Sequence, residues 1–494
     1  MVKLDVQKNY GLFINGEWTN GTGNELIDVI SPATGEKIAA FVRDATNEDV
    51  DAAVEAAEEA LKTWRHTSIE ERSRLMLKIA DIIDDNLEHL ALVETLDNGK
   101  PIRETLNIDL PAASDHFRYF AGVIRSEEGT AQAFDENRLS IVIKEPIGVV
   151  GQVIPWNFPF LMAAWKLAPA LATGNTVVIS PSSTTSLSIL EFARLIDGVL
   201  PKGVLNVVTG RGRKSGDYLL NHPGIDKLAF TGSTEVGYTV AEAAAKRLVP
   251  ATLELGGKSA NIFFDDMPYE KALDGAQMGI LFNQGQVCSA GSRIFVQEGI
   301  YDRFVADLKE AFEKINVGLP WEEETQMGCQ VSEGHLNKIL DYVRIGKEEG
   351  ATVLTGGNRI TDGELGKGVF MQPTLLSDVT NDMRVAQEEI FGPVAVIIKF
   401  KDIDEVIAMA NDSEYGLAGG VWTQDLNKAL KVGREVQTGR VWVNTYNQLP
   451  AGTPFGGVKN SGIGRETYKS MVDAYTQMKN IYIDTNEKST GLYS

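Results

Sequence analysis

From residue 147 onward, short apolar runs alternate with longer stretches of helical periodicity. IGVVGQVI (147–154), NTVVIS (175–180), VLNVVTG (204–210) and KLAFTG (227–232) read as strands. Helical patterns lie between them near 159–171 and 186–198, after the Gly-rich loop at 210–216, and from about Ser233. Such alternation predicts a parallel sheet covered by helices. Ligands of such sheets sit beyond the carboxyl ends of the strands. Residues 155–158, 180–185, 210–216 and 231–234 are therefore expected around one crevice. A second alternation runs from about 258 to 455 and contains SANIFF (259–264), RIFVQ (293–297), TVLTGG (352–357) and VAVIIKF (394–400). It predicts a second α/β domain.

Before these repeats, GLFINGEWTN (11–20) reads as a hairpin turning at Asn15-Gly16. Thr46 and Asp49 form a capping box ahead of Val50, Ala53, Val54, Ala57 and Leu61, which share one helical face. Ser68 and Glu71 open the next helix in the same way. These helices carry no evident chemistry. RLSIVIK (138–144) and NIYID (480–484) alternate like exposed antiparallel strands and lie outside both repeats. They fit an arm for subunit contact or edge strands of the main domains. The tail TNEKSTGLYS (485–494) is polar.

Charge and composition narrow the function. Lys and Arg number 47 against 68 Asp and Glu, a net charge of −21. That balance argues against a nucleic-acid binder or a polybasic membrane anchor. No apolar run approaches the roughly 18 residues of a membrane span. MVKLDVQKNY lacks the apolar core of a secretory signal. Two cysteines, Cys288 and Cys329, cannot make a disulfide scaffold, so a reduced cytoplasmic setting is expected. The 48 glycines exceed the usual share of about 7% and point to tight turns or close backbone approach to a ligand.

Two glycine loops could hold such a ligand. TGRGRKSG (209–216) resembles a dinucleotide fingerprint through Gly210 and Gly212, but Gly216 comes one residue late. An ordinary strand–helix turn explains it as well. In GSTEVG, Gly232 and Gly237 have P-loop spacing, but Tyr238-Thr239 stands where Lys-Ser/Thr should follow. That excludes an NTPase-type cradle and leaves a pyrophosphate at a helix N-terminus. Cys288 lies in the Gly/Ser/Gln-rich FNQGQVCSAGSR, unlike a core cysteine, whereas nothing around Cys329 suggests activation. Glu254 in LELGGKS reads as an ion-paired edge residue or as a desolvated carboxylate able to act as a general base. Of the five histidines, His66, His89, His116, His222 and His335, none stands in a loop of catalytic type. Metal-ligand spacing is absent.

PWNFP (155–159), FTGSTEVG (230–237), LELGGKS (253–259), GQVCS (285–289), EEIFGP (388–393) and PFGGVKNSGIGRE (454–466) occur together. In content, order and interval they resemble the aldehyde dehydrogenase superfamily, over essentially the whole chain. The Glu at 254 is typical of the hydrolytic NAD(P)-dependent enzymes and counts against the CoA-acylating branch. The resemblance implies an α/β fold with a Rossmann-like cofactor domain (1–124 and 147–257), an α/β catalytic domain (258–457) and a small β oligomerisation arm (125–146 and 475–494). It implies that Cys288 is the nucleophile that forms a thiohemiacetal and then a thioester. The Asn157 side chain and the Cys288 N–H would form the oxyanion hole, and Glu254 would activate the hydrolytic water. Lys166 and Glu466 match a buried pair that serves a proton relay or a plain salt bridge.

For NAD or NADP, the resemblance implies that Ile154, Pro155 and Trp156 form a wall along the nicotinamide half. Gly232 and Ser233 would lie at the pyrophosphate, and Phe230, Glu254 and Leu255 belong to the same expected cofactor-binding set. Glu389 would bind the nicotinamide ribose, with Phe391 beside it. Ser180, Ser183, Gly212, Arg213 and Gly216 complete the expected cofactor set. Most relatives carry a Lys, and many a Glu three residues later, where this chain has Ser180 and Ser183. Losing both charges leaves the choice of cofactor open. The expected aldehyde tunnel of Phe158, Met162, Trp165, Val287, Leu449 and Phe455 is apolar, which suits a small to medium uncharged, acetaldehyde-like substrate. Its aromatic residues also suit betaine aldehyde. A homodimer or homotetramer is implied. The alternative is a catalytically silent structural relative of the same fold.

Overall fold

A computed structural model describes residues 6–493. Residues 1–5 and 494 lie outside it, and with them half of the opening segment read for a secretory signal and the last residue of the polar tail. The first alternation forms an eight-stranded sheet. Its spatial order is Gly462–Ile463, Ala251–Glu254, Lys227–Thr231, Val149–Val153, Thr176–Ser180, Leu205–Val207, Leu12–Ile14 and Glu17–Thr19. The five inner strands are parallel and almost wholly buried. That is why they read as near-continuous apolar runs rather than alternating ones. The outer pairings are antiparallel. The hairpin at 11–20 supplies one edge, turning through Asn15 (φ 55°) and Gly16 (φ 67°) as a two-residue left-handed turn requires.

The second alternation forms a seven-stranded sheet in the order Thr352–Thr355, Thr374–Ser377, Val394–Phe400, Arg293–Gln297, Ala260–Phe263, Ala418–Trp422 and Arg440–Val443. It is parallel except for its first strand, which is an antiparallel edge. Strand Arg138–Pro146 pairs with Thr476–Asp484 on one side and Thr130–Ala133 on the other, in a sheet separate from both main sheets. These strands are therefore not edge strands of the main sheets. They and their connections leave Phe134, Met478 and Tyr482 exposed at 56%, 79% and 54%, large apolar surfaces that an isolated chain does not cover.

The capping box at Thr46 and Asp49 forms completely. At Ser68 only half of it forms. Ser68 accepts the Glu71 N–H, but the Glu71 carboxylate turns to Arg74 at 2.6 Å, because a guanidinium three residues away competes successfully for it. No described helix is long and apolar enough to cross a membrane.

Candidate active site

The turn after Val149–Val153, the ends of Lys227–Thr231 and Ala251–Glu254, and the loops 287–289 and 447–451 surround one cavity of about 620 Å³. Two of the four expected loops, 155–158 and 231–234, contribute to its wall, while 180–185 and 210–216 do not. Asn157, Glu254 and Cys288 all line it.

Cys288 follows a backbone that few residues can follow. Asn283, Gln284 and Gly285 have φ of 46°, 55° and 72° in succession. A Cβ at Gly285 would lie 2.1 Å from the Gly392 carbonyl oxygen, so only glycine fits. The Cys288 thiol is half-buried beside Glu254, and burial together with that carboxylate pushes its pKa well up. Glu254 ends its strand. Burial pushes its carboxyl up to about 8, the Cys288 thiol and Lys166 oppose that rise, and Glu466 and Glu389 add to it. Although the thiol adjoins it, neither Glu254 oxygen meets normal hydrogen-bond geometry with any group among the described residues. It is therefore not the ion-paired edge residue of the plainer reading. The next two glycines let the strand end pass between its neighbours. A Cβ at Gly256 would lie 2.6 Å from Glu389 Oε2, and one at Gly257 2.5 Å from the Cys288 carbonyl.

Asn157 Nδ2 donates one hydrogen bond, to the Gln286 carbonyl at 2.9 Å. A carboxamide has a second N–H to offer to a ligand in the cavity. Behind the cavity, Lys166 Nζ lies 2.8 Å from Glu466 Oε1, both side chains buried, and Glu466 Oε2 has no partner among the described residues.

Two aromatic groups shape the walls. Trp156 lies 4.9 Å from His335 and 5.3 Å from Phe391, ring centroid to centroid. Pro155, Gly232, Ser233 and Glu389 line the same cavity. Glu389 accepts the Gly257 N–H at 3.0 Å and is held protonated more readily than usual by burial. Ser233 caps the helix Thr234–Arg247, so free N–H groups at that end are available to an anion. Gly232 has no room for a side chain, since a Cβ there would meet the Phe230 ring at 2.5 Å. The second aromatic group contains Trp165 and Phe455, 5.4 Å apart, and Phe158 packed on Phe282 at 5.6 Å. Met162, Val287 and Leu449 complete it.

Other expected residues stand outside this wall. Ile154, Phe230 and Leu255 are buried behind it, and Ile154 donates its N–H to the Ser180 carbonyl at 3.2 Å. Ser180, Ser183, Gly212, Arg213 and Gly216 are not part of it. A Cβ at Gly212 or Gly216 would meet nothing within 4 Å, so the chain itself does not demand glycine there. Arg211 pairs with the buried Asp44, and Lys214 with Glu25 at 3.5 Å. Arg213 is exposed and has no ion pair among the described residues.

The sequence reading missed His335 and Lys338, which line the cavity from one helix, Glu333–Glu348. Their spacing of three puts them on one helical face, but neither stands in a loop of catalytic type. His335 Nε2 donates to the Phe391 carbonyl at 2.7 Å, and burial pulls its pKa down to about 4, so the ring is neutral. Asp109 and Asp115 were missed as well, and they add carboxylates to a wall otherwise expected to be apolar. Asp109 is neutralised by Lys100 at 2.6 Å, and Asp115 is exposed.

A cavity at strand ends that holds a thiol, a carboxyl and a free amide N–H is equipped for covalent chemistry at a carbonyl carbon. The model of the aldehyde dehydrogenase family matches residues 18–481, and the chain belongs to that family. It is 48% identical over 497 residues to aldehyde dehydrogenase B of Escherichia coli (strain K12), covering 99% of this chain and 96% of that protein. The structure of aldehyde dehydrogenase from Bacillus cereus in complex with NAD+ superposes with a TM-score of 0.94 at 43% identity, covering 97% of each chain. Betaine aldehyde dehydrogenase from Staphylococcus aureus, also in complex with NAD+, gives a TM-score of 0.96 at 40% identity, covering 98% of this chain and 96% of that one. The protein is accordingly an oxidoreductase acting on aldehydes.

Proposed function

We propose that the protein oxidises a small uncharged aldehyde to its carboxylic acid, with NAD or NADP as hydride acceptor and Cys288 as nucleophile. The observation that carries this reading is the contact of the Cys288 thiol with a buried carboxyl, Glu254, that has no other conventional partner. A desolvated carboxyl of pKa about 8 is matched to proton transfer near neutral pH. Cys288 adds to the aldehyde carbon as the thiolate, its proton having passed to solvent water. Negative charge then grows on the aldehyde oxygen, where the Asn157 amide and the Cys288 N–H stabilise it. NAD(P), when bound, supplies the acceptor for the hydride that leaves the same carbon. The thioester left on Cys288 is hydrolysed by water that Glu254 deprotonates, and Lys166 and Glu466 carry the proton onward.

For the cofactor, Trp156 and Phe391 offer an aromatic wall, Glu389 a ribose-binding carboxylate, and Gly232 with Ser233 a helix end for the pyrophosphate. Relatives whose structures are complexes with NAD+ support a nicotinamide dinucleotide as the cofactor. We read residues 1–124 and 147–257 as the cofactor domain, 258–457 as the catalytic domain, and 125–146 with 475–494 as the arm. The exposed apolar side chains of the arm argue for a homodimer or homotetramer. Light scattering should then give a multiple of the 53.9 kDa chain mass.

Betaine aldehyde is the second substrate reading. Its support is the aromatic group of Phe158, Trp165 and Phe455 beside a wall that also carries Asp115. One kinetic panel tests substrate and cofactor together. Acetaldehyde should give the highest kcat/KM, above betaine aldehyde and far above a carboxylated aldehyde, which Asp115 repels. A betaine aldehyde preference would replace the first reading with the second. NAD and NADP should both work, within about one to two decades or roughly 1.4–2.8 kcal/mol. Serine at 183 neither repels a 2′-phosphate nor binds a 2′-hydroxyl as a carboxylate does. Ser183→Glu should therefore depress NADP use far more than NAD use, and Arg213→Ala should raise the KM for NADP alone. Rejection of NADP by more than about a thousandfold in the wild type would overturn this reading of the serine pair.

A further inference from the structure

The helices Leu87–Asn98 and Ile102–Glu104 hold buried polar side chains against two loops of the site. Asn98 Nδ2 donates to the Trp156 carbonyl at 2.7 Å, and Glu94 accepts the Phe160 N–H at 3.1 Å. These bonds grip the turn that carries Asn157 from both sides. Glu104 Oε2 accepts the Asn283 N–H at 2.9 Å. Asn283 in turn donates through Nδ2 to the Asn157 carbonyl at 2.7 Å and to the Gln286 carbonyl at 3.2 Å. Gln286 is the residue whose carbonyl the Asn157 side chain also binds. Glu104, Asn157, Asn283 and Gln286 are all buried.

Asn283 and Gln284 are consecutive non-glycine residues in the left-handed region. Such backbone costs free energy and persists only where its surroundings over-determine it. The bond to Glu104 sits at the first of these residues, two positions before the glycine that meets Gly392. Among the described residues Glu104 has no ion pair of its own. The buried Lys100, whose charge acts on Glu104, is committed to Asp109 at 2.6 Å. What a buried carboxyl gives here is an acceptor oxygen of the right reach, which it retains when protonated.

We infer that Glu104 is a positioning residue for the reaction at Cys288. By holding the Asn283 N–H it fixes the strained loop that orients the Asn157 amide and delivers the thiol. This rests on the roles given above to Cys288 and Asn157. A glutamine at 104 keeps both the reach and the acceptor. An aspartate keeps the carboxyl but is one methylene too short to reach the Asn283 N–H.

The test compares Glu104→Gln and Glu104→Asp at a temperature where both are folded by thermal melting. Three quantities are read: kcat, the KM for cofactor, and the rate at which iodoacetamide alkylates Cys288. Glu104→Gln should keep kcat and alkylation within about threefold of the wild type. Glu104→Asp should lose at least about tenfold in kcat, with a changed alkylation rate and a cofactor KM within about threefold. Equal behaviour of the two variants overturns the inference, whether both are impaired or neither is. A Glu104→Asp chain that fails to fold while Glu104→Gln folds also overturns it, because the role is then to hold the fold together. Absence of aldehyde oxidation in the wild type would defeat the functional reading instead, and the alkylation rates would still decide the role of Glu104.

Discussion

Replacing Cys288 with alanine should abolish aldehyde oxidation, with kcat falling by more than about ten-thousandfold, as expected when a nucleophile is removed from a covalent mechanism. Replacing Cys329 should leave most of the activity. Both thiols have pKa values raised by burial, so titration alone does not separate them. Their surroundings do. Cys288 adjoins the Glu254 carboxyl and lines a cavity of about 620 Å³. Cys329 is fully buried in the second sheet's apolar core, its thiol 3.8 Å from the Gly99 carbonyl, with no route to a substrate. Truncating Cys329 to alanine should cost stability instead, about 1 kcal/mol for the small void left. Rates and melting temperatures of the two variants give opposite patterns if this is right. Comparable loss of oxidation in both would sink the assignment of Cys288.

How far the sequence carries depends on the kind of physical signal each element leaves. Strands buried on both faces, such as Thr176–Ser180 and Val394–Phe400, leave continuous apolar runs and are legible. Ala418–Trp422 is equally buried, but its sequence AGGVW opens on small residues. Gly420 has to be glycine because a Cβ there would lie 2.6 Å from the Tyr446 ring. Arg440–Val443 is an edge strand and only partly buried. Both escape a hydrophobicity reading for those reasons. Among the candidate site residues, those on glycine-rich loops are conspicuous because the backbone there approaches something closely, as Gly256 and Gly257 do at Glu389 and Cys288. His335, Lys338 and Asp115 sit on helices of ordinary amphipathic pattern, and Glu104 on a three-residue helical turn, Ile102–Glu104. Their proximity to the cavity is a product of tertiary packing, which no local spacing encodes. The half-formed box at Ser68 makes the same point on a small scale. The motif was present, and a neighbouring Arg74 took the carboxylate.

Glu254→Gln should stop turnover after the first acylation while leaving the first hydride transfer intact. The amide has the shape of the carboxyl but cannot accept a proton from water, so the thioester on Cys288 should accumulate. A burst of reduced cofactor close to one per site should persist, and the steady-state rate should fall by about 10²–10⁴-fold, the usual contribution of a general base. The pH dependence gives a second check. Burial raises the Glu254 carboxyl to about 8, so the active, ionised base becomes populated as pH rises through that value. Steady-state kcat in the wild type should therefore climb between about pH 7 and 9, and the variant should lack that limb. Stability should move the other way. A carboxyl whose folded pKa lies above its unfolded value binds its proton more tightly when folded, so its contribution is lost as pH rises toward 8. The neutral glutamine avoids that loss, and its melting temperature should gain on the wild type from pH 5 to pH 9. The burst is the deciding measurement. If it disappears along with turnover, Glu254 acts before hydride transfer, as the base that takes the proton from the adjoining Cys288 thiol, and its role in hydrolysis is not the whole of its function.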